Sequence, residues 1–499
     1  MAINLDGPTP IDPASAPIQK MLANLQGNVL KGHGRDHSVH IFIKLDDGNV
    51  ETKRERLAAV ADQVVTSALQ QHIETEQFRN FGIPGAIFGN LFLTARGYRA
   101  LGFTEAQLEA AFPERPGDAE VQSNFREGMQ AHVDELNDPP PASWEEGYRE
   151  GEIDAMILLA DDDEAFLLRH ARGLINELEE FATVLVVERG NALRTDSGEG
   201  IEHFGYVDGR SQPIYFTTDL AKEGNTTIWN PVEKLSIVLV PDNNVSEEDS
   251  FGSYFVFRKL EQDVRRFKMR EQDLADALDL KGPDRERAGA MAVGRFEDGT
   301  PLVLSQTDGF IPLKENNFTY ETDPSGAKCP FHAHIRKSNP RGDIKRQFHI
   351  PEEEAERPRR ITRRGITYGA RNRHPDAFQA LEDLPTEGVG LLFMCFQSSI
   401  ANQFAFIQNS WVNNEGFLLD GTGIDPVIGQ APQPGPGVPT PIEQTWPVQW
   451  GPQPDPNNPG NTRPPDTETS FFGGFVTLKG GEFFFAPSIP FLKVLAPQP

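Results

Sequence analysis

Only two cysteines, Cys329 and Cys395, occur among the 499 residues of the chain. Two thiols cannot make a disulfide framework or a four-thiolate zinc site; a reducing compartment is their simplest setting, though two buried thiols are equally compatible with a secreted protein. No run of about 18 apolar residues is available to span a bilayer. The stretch from Met1 to Lys20 has neither a positive start nor an apolar core segment, so no secretory signal is read and a cytoplasmic location is expected, unless a leader was removed before this numbering begins. Basic residues are scarce as well: 47 Lys and Arg face 74 Asp and Glu, a formal balance of −27. So acidic a surface repels phosphate backbones and anionic lipid, which excludes nucleic acid and membrane surfaces as general partners. Polar aromatics are few, with 7 Tyr and 5 Trp, whereas Phe reaches 34. Together with 38% hydrophobic and 24% charged residues, this describes a globular protein with ring-filled cores. The length exceeds what one core usually serves, and two or three domains are expected.

Hydrophobic period places the elements. Val39, Ile41, Ile43 and Leu45 alternate as a strand, and Arg54 to His72 runs at helical spacing without Gly or Pro. Asp154–Ala160 reads as a strand, Asp163–Glu180 as a helix and Ala182–Val187 as a further strand. That order is a split βαβ, ferredoxin-like pattern, interrupted by long loops over about 80–150. The order begins again with strands at Leu235–Val240 and Ser253–Phe257 and a charged helix over Glu261–Leu278. It ends with an apolar strand over Gly388–Ser399 and a helix over Ile400–Trp411. The fold class expected is therefore α+β, with two ferredoxin-like domains at 1–228 and 229–499, each an antiparallel sheet with peripheral helices. Residues 431–465 hold 12 of the 40 prolines and read as an extended surface excursion, followed by a glycine-turned hairpin over Phe471–Phe485.

Three segments could carry chemistry. His33, His37 and His40 fall within eight residues, but glycines on either side of His33 make this a loop, and solvated histidines are expected there. Cys329-Pro-Phe-His-Ala-His334 sets a thiol and two imidazoles within six residues. Zinc would need a fourth ligand that no other cluster offers, whereas haem iron needs a single imidazole. From Phe331 to Arg373, 12 basic residues face five acidic ones, a cationic island of +7 that calls for an anion such as a propionate, phosphate or carboxylate. Upstream, Gly205-Tyr-Val-Asp-Gly209 is a glycine-turned loop around one carboxylate, Asp208.

Taken in order, these segments resemble the dye-decolourising peroxidases, haem enzymes built on two ferredoxin-like domains. Gly205, Asp208 and Gly209 match the family's GxxDG signature. His334-Ile-Arg-Lys-Ser-Asn-Pro-Arg341 matches the proximal-histidine context, and Arg363-Arg-Gly-Ile-Thr-Tyr-Gly369 the run opened by the distal arginine. The apolar distal pair falls on Leu391 and Phe393, and the acidic partner of the histidine on Asp425 in Gly423-Ile-Asp-Pro426. Asn24–Arg35 is similar to the family's opening segment, so the likeness runs from about 22 to 495 and resembles the larger bacterial and fungal members.

The resemblance implies haem b, iron protoporphyrin IX, ligated by His334, with Asp425 fixing the ligand's tautomer and Arg341 reaching a propionate. It implies hydrogen peroxide as oxidant, with Asp208 as proton carrier and Arg363 stabilising charge on the leaving oxygen, through a ferryl intermediate. Leu391 and Phe393 would keep the distal pocket dry, and His332 would face away. Dyes, phenols and other aromatic reductants are the implied substrates. Tyr368 and Trp411 lie at positions that resemble electron relays. Some members also oxidise manganese(II), for which Glu352, Glu353, Glu354 and Glu356 are hard oxygen donors. The alternatives are a haem-handling or iron-releasing protein with little turnover, and a haem-free acidic binding module.

Overall fold

The computed structural model describes residues 3–113, 124–309, 315–375, 377, 379–430, 443–458 and 460–496. Strand β1 (His37–Leu45) carries the alternation seen in the sequence. It is followed by helices α1 (Val50–Val64) and α2 (Ala68–Phe81) and strand β2 (Phe88–Leu93). Strand β3 (Ala155–Asp161), helix α3 (Glu164–Leu178) and strand β4 (Ala182–Asn191) complete the first half. The second half comprises β5 (Phe251–Gln262), α4 (Val264–Ala277) and the one-turn helix α5 (His334–Ser338). It continues with β6 (Thr362–Arg363), β7 (Ile366–Tyr368), β8 (Gly390–Gln397) and β9 (Val476–Ala486).

All named strand pairings are antiparallel, in the order β7-β8-β5-β9-β2-β3-β1-β4, with the short β6 alongside β8. Each half repeats one order, since the second, third, first and fourth strands of each set lie side by side. Halves meet where Phe485 of β9 pairs with Leu93 of β2. At the opposite ends, the Thr367 hydroxyl of β7 donates to Asn191 O of β4 and accepts from Leu193 N at 3.3 Å. A side chain rather than a ladder thus bridges the edges of β4 and β7. The barrel interior is aromatic, with Phe92 stacked on Phe255 at 4.3 Å and Phe42 edge-on to Phe257 at 4.8 Å, and a second ring cluster forms around Phe204, Phe267, Phe472 and Phe475. Among the described residues, no helix is long and apolar enough to cross a membrane.

Several expectations need correction. The single helix over Arg54–His72 is two helices, because Thr66 N donates to Gly89 O and draws residue 66 against β2, after which Ser67 caps α2. Leu235–Val240 is not a strand. A tight turn at Leu235–Ile237 sends Leu235, Val238 and Leu239 all inward, and only Val240–Pro241 pairs with β5. The 80–150 region contains β2, whose six residues are all buried, as well as short helices. No hairpin turn occurs at Gly480; β9 runs straight through with a bulge, and a Cβ there would lie 2.3 Å from Tyr148 Cγ. Residues 431–442 of the proline-rich segment lie outside the described residues. Beyond them, Gln444–Pro447 pairs with Thr467–Ser470 and buries Trp446 fully, so this part is packed. The helix after β8 is wide, with Ala405 N bonded to Ile400 O and Asn413 N to Gln408 O, the i→i+5 pattern of π-helix.

Candidate active site

A deep cavity lies between the GxxDG loop, α5, β8 and the wide helix. It is lined by Asp208, His334, Arg341, Arg363, Leu391 and Phe393, among others. The loop owes its shape to local bonding. Gly205 has φ +100°, which only glycine adopts cheaply, and the Glu202 carboxylate accepts from both Phe204 N and Tyr206 N. Asp208 N then donates to Gly200 O, directing the carboxylate into the cavity.

Arg363 reaches Asp208 from the other half of the molecule. Its Nη1 donates to Asp208 Oδ1 at 2.8 Å and its Nη2 to Ser211 O at 3.2 Å. Gln212 Oε1 accepts from Arg363 N, which holds the end of β6 against the loop. Gly209 N donates to the same Asp208 Oδ1 at 2.6 Å, leaving Oδ2 without a hydrogen-bond partner among the described residues. Burial pushes the Asp208 carboxyl upward, but the Arg363 guanidinium and the Gly209 N–H outweigh it and hold the group below the usual range. The carboxylate is therefore ionised and one oxygen stays open.

On the opposite wall, His334 opens α5. Its Nδ1 lies 2.8 Å from Asp425 Oδ2, which leaves Nε2 as the ring nitrogen available to the cavity. Asp425 is fully buried, and its other oxygen accepts from Val427 N at 2.8 Å and Ile428 N at 3.0 Å. Burial disfavours the charged imidazole, yet the adjacent carboxylate prevails and His334 sits above its ordinary value. An imidazole oriented by a carboxylate through one nitrogen, with the other facing an apolar cavity, is the donor arrangement of an axial ligand.

Leu391 and Phe393 share one face of β8 by strand period and line the cavity, while Leu392 and Met394 turn into the barrel core. Arg341 also lines it, sandwiched between Trp229 at 4.3 Å and Phe318 at 4.1 Å. Its guanidinium donates to Asn316 O, Asn316 Oδ1, Phe318 O and Ser211 Oγ, so a propionate would have to share those hydrogens. Arg295, also over the Phe318 ring at 5.3 Å, likewise bonds only neutral oxygens. Two buried guanidiniums with no carboxylate partner among the described residues leave this wall short of negative charge. The apolar faces, the oriented imidazole and the uncompensated cations fit a planar apolar macrocycle bearing acidic groups.

Other sequence candidates lie elsewhere. His332 is buried against Trp446, with ring centroids 4.3 Å apart, and is pulled down to about 3 by burial. His33 stacks on Phe88 and His37 bonds Asn191, while His40 is buried beside Phe257 rather than solvated. Burial pushes the Cys329 thiol up to about 12, and neither cysteine lines the cavity. Glu356 is buried, accepting from Gly342 N and Ile344 N, and so belongs to a turn rather than to an open carboxylate cluster. Among the described residues, no group of three His, Cys, Asp or Glu is arranged to hold a metal ion. Tyr368 lies under Lys259 at 5.1 Å with no acceptor for its hydroxyl. Trp411 packs between Phe406 and Phe417, on the wide helix whose Ile407 and Gln408 line the cavity. Sequence reasoning missed Glu202, Gln212, Trp229 and Arg295. Only Gln212 carried a signal, standing three residues beyond the glycine-turned loop that ends at Gly209.

Residues 24–193 match the family model described as the DyP dimeric alpha+beta barrel domain. The multifunctional dye peroxidase DyP2 of an Amycolatopsis species is 42% identical over 95% of this chain and 96% of its own length. A dye-decolourising peroxidase of Mycetinis scorodonius is 28% identical over 95% of this chain and 87% of its own. Among solved structures, a DyP-type peroxidase of Anabaena superposes with TM-score 0.83 at 40% identity, covering 96% of this chain and 95% of the other. A dye-decolourising peroxidase in complex with 2,6-dimethoxyphenol superposes with TM-score 0.73 at 27% identity, covering 95% and 99%.

Proposed function

The chain belongs to the dye-decolourising peroxidases, and from that membership we propose that it holds haem b through His334 and uses hydrogen peroxide to oxidise small aromatic reductants. It is a peroxidase, and peroxidases of this family are haem enzymes. The observation that carries the reading is the opposition, across one cavity, of the Asp425-oriented imidazole and the ionised Asp208–Arg363 pair. Bound there, haem supplies the redox-active iron that takes up the oxidising equivalents of peroxide.

The protein's own part is proton handling and orientation. Asp208, ionised with Oδ2 open, takes a proton from one oxygen of hydrogen peroxide and returns it to the other as the O–O bond breaks. Arg363 stabilises negative charge on the departing oxygen and keeps Asp208 ionised between turnovers. Asp425 holds His334 in the tautomer that offers Nε2. Leu391 and Phe393 keep bulk water from competing for the proton. Arg341 and Arg295 favour an acidic edge of the macrocycle through their field, since their hydrogens are already engaged. Mere haem storage or release has no use for an ionised carboxylate facing an open cavity. Glu352, Glu353, Glu354 and Glu356 do not converge on a point, so aromatic reductants are favoured over manganese(II).

The test is an absorption spectrum of the purified holoenzyme before and after peroxide, followed by oxidation of 2,6-dimethoxyphenol and of a bulky anthraquinone dye. A Soret band that changes on peroxide addition, with both reductants consumed, is expected; no Soret band would defeat the haem reading.

For reductants too large to enter, an electron must leave through the protein. Of the two candidate relays, Trp411 is favoured. Oxidising Tyr368 would release its phenolic proton where no acceptor stands. Trp411→Phe is expected to lower kcat/KM for the bulky dye by about tenfold and leave 2,6-dimethoxyphenol within about twofold, whereas Tyr368→Phe changes neither. Equal losses for both reductants in Trp411→Phe would count against a relay.

A further inference from the structure

His334 and Asp425 are accompanied by a third buried group with no part in proton transfer. Lys337 lies three residues beyond His334 on α5, hence on the same helical face, and has no solvent exposure. Its Nζ donates to Asn414 O at 2.7 Å and to Gly423 O. Those two carbonyls lie at either end of the loop that delivers Asp425, and Gly423 N closes the same loop onto Glu415 O at 2.9 Å. No carboxylate forms an ion pair with Lys337 among the described residues; Asp425 and Glu415 are the acids whose charge reaches it. Burial draws the ammonium down to about 7, against the pull of those two acids. An apolar side chain of equal length would fill the site without that penalty, so the position has a use for the charge and its donors.

We propose that Lys337 is a positioning residue for the proximal pair: held by the carbonyls of Asn414 and Gly423, it sets a cation near Asp425 and so offsets part of the Asp425 charge felt by the imidazole. The inference rests on haem ligation through His334. A carboxylate that draws on Nδ1–H makes the imidazole a stronger donor and favours oxidised iron. A buried cation beside that carboxylate weakens the draw. Lys337 therefore leaves bound iron easier to reduce than Asp425 alone would.

The experiment is spectroelectrochemistry of the purified holoenzyme about one pH unit below the Lys337 value, where its ammonium is charged, with Lys337→Met, Lys337→Gln and Lys337→Arg beside the wild type. Loss of the charge in Met or Gln is expected to shift the ferric–ferrous equilibrium about tenfold toward ferric, or 59 mV downward for a one-electron couple. Lys337→Arg, which keeps charge and donors, is expected to restore the wild-type midpoint. The shift in Lys337→Met should shrink in an Asp425→Asn background, because the two groups act as a unit. Gln keeps donors near the carbonyls if Met does not accumulate as holoprotein. An unchanged or raised midpoint in the neutral variants, with the Soret band intact, overturns the proposal and makes Lys337 a loop anchor only. A wild type without a Soret band overturns the haem reading as well.

Discussion

Replacing His334 with alanine is expected to abolish stable haem loading and to lower peroxidase kcat/KM by on the order of 10³ or more. The size follows from the lack of a substitute. His332 is the nearest imidazole in sequence, but it is buried against Trp446 and does not line the cavity. The Cys329 thiol is pushed up to about 12 and also lies outside the lining, so it offers no thiolate. Soret absorbance and haem content per chain measure the loss. Added imidazole, small enough to occupy the vacated space, should recover part of both. Asp425→Asn keeps the ligand but weakens its acceptor, and a milder loss of about 10- to 100-fold is expected. Normal haem content with unaltered spectra in His334→Ala would mean that another residue binds the iron.

The second large effect is expected on the distal side. Asp208→Asn removes the proton carrier and should slow peroxide activation by about 10²–10⁴-fold. Arg363→Leu removes the charge-stabilising donor and should cost about 10²–10³-fold. The two groups share a 2.8 Å hydrogen bond, so the double variant should lose less than the product of the single losses. Their pH behaviour separates the roles. Burial raises the Asp208 carboxyl, but Arg363 and the Gly209 N–H more than reverse it, so the group lies below the ordinary carboxylate range. A base must be ionised, and Asp208 is ionised above its pKa. Wild-type peroxide activation should therefore persist into acid and fail only as pH drops through that depressed value. Without Arg363 the burial effect stands less opposed, the pKa rises, and the acidic limb should move to higher pH. Stopped-flow peroxide reaction across pH measures it. Coincident acidic limbs in wild type and Arg363→Leu would show that Arg363 does not hold Asp208 ionised.

Much of this site could be read along the chain because its residues sit in short local patterns. Gly205 and Gly209 mark a loop that only positive φ allows, and Leu391 and Phe393 share a strand face by simple alternation. Harder to read were elements whose form is set by a distant partner. Thr66 breaks a helix because Gly89, in a strand hidden among apparent loops, takes its N–H. Gly480 resembles a turn but is a place where Tyr148 presses on a straight strand. Trp446 lies in a proline-rich stretch that looks unpacked, yet its ring closes over His332.

Composition and local pattern were enough for the α+β class and the acidic balance, and the resemblance to the peroxidase family placed Asp208, His334, Arg363 and Asp425 along the chain. These depend on side-chain chemistry and on neighbours a few residues apart. Only tertiary structure could decide which groups face one another. Asp208 and Arg363 are 155 residues apart and His334 and Asp425 are 91, and each pair meets at 2.8 Å. Which cations balance an acid was likewise decided in space. Arg360 is matched by Glu233, Lys337 rests on carbonyls, and Arg341 and Arg295 rest on carbonyl, amide or hydroxyl oxygens. Counting charges along the chain locates a cationic island, but hydrogen bonding and burial determine which of its charges still lack a counterion.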